Sequence, residues 1–317
     1  MRLAISRVRH DIAPNDLAVL TAVTVPRRDQ VVAAGAAATL TNELYAKLLS
    51  SIDQDAPVVA MGSLASGTDA MQAELLTEQV HVGLHHGIDE RAAWVAAAAM
   101  ISGTSAASAI AVTNEVYANL HHSIGSESHL VAMGAMVSGT PALDAAELTN
   151  AIRLALREDM IETAPVVAVA AMLGNLDAKA AVGQLHDLYS SMRPGIRAAA
   201  HVVALGAFTR QTPAAQAAQL VNGVYDGMKT DIDAYAPVVA MGALMAGVDA
   251  ATGARLANTA YNQLRGSVDD EAAWVAVAAM RSDVSATAAS NLTNELYREL
   301  NSSIDEHAAV VALGALS

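Results

Sequence analysis

The 317-residue chain contains no cysteine, a single phenylalanine, and only 18 lysines and arginines against 32 acidic residues. Without cysteine there is no disulfide scaffold, no thiol chemistry and no cysteine-ligated zinc. A net charge of −14 opposes binding to phosphate backbones, which calls for clustered cations. No apolar run approaches the ~18 residues that span a bilayer; one of the longest, Ala92–Ile101, is about half of that. The first residues carry arginines with no continuous apolar segment behind them, which makes a poor secretory signal. The expectation is a cytoplasmic location by default and no membrane partner. Catalytic signatures are missing too: there is no G-x-S-x-G, no H-E-x-x-H, no P-loop and no pair of carboxylates on one inward helix face. The chain reads as a non-enzyme without a cofactor.

What the chain has in abundance is small apolar residues. At 53% hydrophobic it is no disordered polymer, and its apolar residues recur at a constant step. VVAMG at Val58–Gly62 returns as LVAMG at Leu130–Gly134, VVALG at Val202–Gly206, VVAMG at Val238–Gly242 and VVALG at Val310–Gly314. Val59, Val95, Val131, Val167, Val203, Val239, Val275 and Val311 all stand 36 residues apart, each followed by Ala. Every unit reads as two helices. Helix A is short and apolar, as in Ala56–Ala65. Helix B places Ala37, Leu40, Leu44, Leu48 and Ile52 on one face, a spacing that only a helix can align. Between them, Thr68 and its equivalents are expected to cap helix B, and Asp53 and its equivalents to cap the next helix A. Pro57, Pro165 and Pro237 fit that helix's first turn. The expected fold is an all-α solenoid of two-helix hairpins. Residues 1–19 would form an N-terminal half-repeat, 20–307 eight hairpins and 308–317 a C-terminal half-repeat.

Tetratricopeptide and ankyrin repeats have nearby periods, but their signature residues are absent. A short helix, a small loop and a longer helix at near-constant period resemble the layout of the DNA-reading repeats of TAL effectors. That is a likeness of layout, and the acidic charge opposes carrying DNA reading across. No nucleic-acid partner is expected.

The ends suggest a mode of assembly. Val8 stands 288 residues before Leu296, in register with helix B, while Ala308–Ser317 is a lone helix A without a charged residue. Leu3, Ile5, Val8 and Ile12 would therefore dock on Val310, Val311, Leu313 and Leu316. Within one chain this makes a nine-unit ring; between chains it makes a head-to-tail filament, the arrangement favoured on sequence. The leading expectation is a structural protein that self-assembles, with a second copy as partner.

Helix B also carries a polar stripe. Its columns include Asn42, Asn114, Asn150, Asn222, Asn258 and Asn294, with Tyr45, Tyr117, Tyr189, Tyr225, Tyr261 and Tyr297 three residues on. Asn is a poor helix former, so its recurrence asks for a compensating bond. Either the stripe is a hydrogen-bonded ladder between helices, or it is the face on which a soluble adaptor binds another protein. Finally, His81, His85 and His121 lie close in the repeat frame and would suit Zn or Ni, although solvated or boundary histidines are the simpler explanation. The expectation is no metal there.

Overall fold

A computed structural model describes residues 14–24, 31–264 and 271–317 of the chain. Among these residues the structure is 80% helix with no strand, the class expected from sequence. Helix α1 spans Pro14–Val23. Two series then alternate. The longer helices are α2 (Ala34–Lys47), α4 (Ala70–Gly83), α6 (Ala106–Asn119), α8 (Ala142–Ala155), α10 (Ala178–Ser191), α12 (Ala214–Gly227), α14 (Ala250–Gln263) and α16 (Ala286–Glu299). The shorter ones are α3 (Ala56–Ser66), α5 (Ala92–Ser102), α7 (Ser128–Ser138), α9 (Ala164–Gly174), α11 (Ala200–Thr209), α13 (Ala236–Ala246), α15 (Ala272–Ser282) and α17 (Ala308–Ala315). Among the described residues no single helix is long and apolar enough to cross a membrane.

Local chemistry explains where these helices begin and end, and it corrects two expected caps. The cap of the longer helices lies one residue beyond Thr68 and its equivalents. Asp69, Ser105, Asp177, Asp249 and Ser285 accept from the backbone N–H three residues on. The Thr N–H instead closes the preceding helix, as Thr68 does on the Ser63 carbonyl at 3.0 Å. It can reach back because Gly67 takes a φ of +77°, which an L side chain adopts only under strain. Asp53 caps nothing; it opens a 3₁₀ turn, and the residue before the shorter helix, Asp55, makes no side-chain cap.

Packing follows from side-chain size. The shorter helices are almost wholly apolar and buried along most of their length, Val59, Val131, Val167, Val203 and Val311 completely so. The longer helices bury one face and leave the other to solvent. Each longer helix packs on the shorter helix that follows it, and each series packs on its own neighbours in chain order. Both series then close: α17 lies against α3, and α16 against α2. The helices form a ring of eight pairs, shorter helices inside and longer ones outside.

The closing contact matches the internal ones. A Cβ on Gly62 would come within 2.6 Å of the Ala97 Cα, and one on Gly314 within 2.6 Å of the Met61 Cα. Both glycines are there because backbone meets backbone.

The frame of the units differs from the expected one. Leu20 does not open a hairpin; it lies inside α1, and the pairs run from α2 to α17. The circuit closes after eight pairs because α17 occupies the place beside α2 and α3 where an earlier short helix would have stood. Leu3, Ile5, Val8 and Ile12 lie outside the described residues. Val310, Val311, Leu313 and Leu316 are at most 4% exposed, covered within their own chain.

Candidate functional site

The centre of the ring is filled by α1. It touches α5, α7, α9 and α11, and every residue from Asp16 to Thr24 is buried. A helix enclosed from its third residue onward is a hub, with apolar Leu17, Val19, Leu20 and Val23 set among the inner helices. Its polar groups are met at both ends. Asn15 Oδ1 accepts from His201 Nε2 at 3.0 Å. Asp16 Oδ2 accepts from Arg91 Nη1 at 3.3 Å, and Asp16 Oδ1 faces His129 Nε2 at 3.3 Å. At the other end, the Arg281 guanidinium donates to the Thr21 and Thr24 carbonyls, which α1 leaves unpaired at its C-terminus. The hub therefore runs parallel to the inner helices, whose N-termini supply Arg91, His129 and His201 and whose C-termini supply Arg281. Burial brings the Arg281 guanidinium down to about 10, but it stays charged at neutral pH and complements the negative end of the hub helix.

Sequence reasoning missed these residues, yet the repeat columns carried the signal. His129 and His201 occupy a column otherwise filled by Pro57, Ala93, Pro165, Pro237, Ala273 and Ala309. Arg281 stands where the other repeats hold Ala65, Ile101, Val137, Leu173, Thr209 and Met245. A polar side chain in an apolar inner column needs a buried partner, and the hub provides it.

The Asn column forms the ladder. Asn114 donates to the Gly83 carbonyl at 2.9 Å and accepts from the His85 N–H at 2.9 Å, closing the C-terminus of α4. Asn150, Asn222 and Asn258 repeat both bonds on α6, α10 and α12, and Asn294 donates likewise to Gln263. Asn42 does the same across the seam, donating to the Glu299 carbonyl at 2.9 Å and accepting from the Asn301 N–H at 2.8 Å. The tyrosines beside them are half-buried; Tyr189 lies under Arg157 and Arg197, and Tyr117 stacks on His85. The histidine trio does not converge. His81 Nδ1 meets the Asp89 carbonyl, while His85 Nδ1 and His121 Nδ1 accept from the N–H two residues on.

A depression of about 810 Å³ lies open to solvent beside α10 and the start of α12, with Asp187 its one ionisable lining residue.

Two groups at the hub mouth titrate in opposite senses. Burial pushes the His201 imidazole down to about 4. Burial also pushes Asp55 up to about 6, with Arg91 opposing and Asp16 reinforcing. His201 is neutral in the fold and takes up a proton on unfolding between about pH 6.5 and 4, so its share of stability falls as pH falls. At 1.36 kcal/mol per pH unit that amounts to about 3 kcal/mol. Asp55 holds a proton in the fold between about pH 6 and 3.8 that the unfolded chain has lost, so stability rises as pH falls there. His201→Gln should thus gain stability across that window and Asp55→Asn should lose it, with wild type flatter than either. Urea midpoints in chelator-containing buffer read the signs; equal slopes in the two variants would refute the assignment.

No protein-family model, no curated protein and no solved structure matches the chain. The described residues form an all-helical ring with a buried central helix, and the function has to be read from that geometry.

Proposed function

We propose that the chain is a non-enzymatic structural scaffold, a closed α-solenoid whose 36-residue hairpins join end to end within one molecule. The observation that carries this reading is the seam. α17 meets α3 with the same glycine-on-backbone contact as α3 meets α5, and Asn42 adds the same rung as its column mates. An enzyme would need converging reactive groups in a cleft, and the open depression offers a single carboxylate. Between chains the same seam would yield the head-to-tail assembly, since α17 of one copy can cover α3 of the next. The adaptor reading has less support, because the Asn amides are already engaged in the ladder.

Native mass with small-angle scattering tests the proposal. The expected result is one species of 32.5 kDa with a radius of gyration of roughly 20 Å, the value for a compact domain of this length. A series of multiples that grows with concentration would replace the closed scaffold by the filament.

A further inference from the structure

We propose a divalent metal site of the zinc type at the hub mouth, formed by Asp16, Glu127 and His129. One ligand atom from each lies within 4.8 Å of the others. Two atoms bound to one zinc stand about 3–4.3 Å apart, given ~2.0–2.2 Å bonds, so small side-chain shifts complete the set. Asp16 and His129 are buried and Glu127 is half-buried.

The orientation of His129 is the independent observation. Its Nδ1 stands 3.2 Å from the Ser126 carbonyl, which can only accept, so Nδ1 carries the proton. In the neutral ring Nε2 is then a bare lone pair. That atom is fully buried, has no hydrogen-bond partner, and faces Asp16 Oδ1 at 3.3 Å. Two acceptors pointed at each other in a buried site require a cation between them. A backbone carbonyl holding the far ring nitrogen is also the usual support of a metal-bound histidine. Arg91 on Asp16 Oδ2 turns the other oxygen, Oδ1, toward His129. Arg91 is one cation against the two carboxylates Asp16 and Glu127, which leaves negative charge in excess. Nitrogen with two carboxylates suits zinc or its transition-metal neighbours better than calcium, and three protein ligands leave a position for water. Asp16 belongs to the hub while Glu127 and His129 belong to the ring, so the ion would tie one to the other.

The test is zinc titration of the full chain after EDTA treatment and removal of the chelator, followed by calorimetry and melting temperature. The expected result is one saturable site, a raised melting temperature, and binding at least tenfold weaker in Glu127→Gln and in His129→Gln. A His81→Ala, His85→Ala, His121→Ala triple variant should keep the wild-type stoichiometry. Should His129→Gln fail to fold, Glu127→Gln decides, because that side chain is half-exposed and its apo circular dichroism should match wild type. Absence of saturable binding would overturn the proposal; a proton on His129 Nε2 would then be the cation. Wild-type affinity in Glu127→Gln would overturn it as well, as would loss of the site in the triple variant.

Discussion

Val311→Asp should open the ring at its seam, lowering stability by about 3–5 kcal/mol, the range for a buried charge left without a partner. Val311 is fully buried in α17, which packs on α3. Val167→Asp on α9 buries a charge just as deeply, but α9 has covalent neighbours on both sides. Only at the seam can order be lost without disturbing the rest of the circuit, since stacked repeats couple mainly to their neighbours. The seam variant should therefore keep nearly all of its helical circular dichroism while its radius of gyration rises, and freed α3 surfaces should promote association. Gly314→Val tests the same contact by volume: its Cβ would meet Met61 backbone, which cannot rotate away, at a cost of about 3 kcal/mol. The control is Gly183→Ala in α10, where nothing lies within 4 Å; there the gain should be about 0.5–1 kcal/mol. If Gly314→Val proves as harmless as the control, α17 does not sit on α3.

Leu20→Ala should cost about 2–5 kcal/mol, as large-to-small changes in a closed core do, although it lies on a short helix near one end of the chain. Leu20 is 0% exposed within α1, and the inner helices around it are tied to other units, so the space left behind cannot collapse. Leu20→Asp goes further and should expel the hub. Protease cleavage within residues 14–24 should then become rapid, and an apolar fluorescent probe should bind the vacated centre. Arg281 would lose the two carbonyls it serves, and water would replace them. A Leu20→Ala cost below about 0.5 kcal/mol, the size of a surface effect, would mean that α1 does not occupy the ring centre.

The repeat was legible without a structure because an inner helix tolerates little variation. Val59 and its column mates are enclosed by both neighbours, so every unit needs nearly the same side chain. The Asn ladder was legible as a question: recurrence of a poor helix former implied a bond, and the bond proved to be a clasp on the preceding helix end. The cap of the longer helices lies one residue beyond the expected Thr, since Thr68 and Asp69 are both good capping types and only backbone geometry selects between them.

The amino-acid sequence by itself determined the helices, their alternation and the apolar inner face, because each depends on residues at most one repeat apart. Closure depended on something no single repeat displays. A full turn shared among eight pairs is about 45° each, and a slightly different angle would leave the same local contacts in an open superhelix. The hub is non-local in the same way. Residues Pro14–Val23 adjoin α2 in sequence, yet their partners are Arg91, His129, His201 and Arg281. Those four side chains come together with α1 only once the circuit has closed around it, and so tertiary structure alone decided which polar residues the centre would hold.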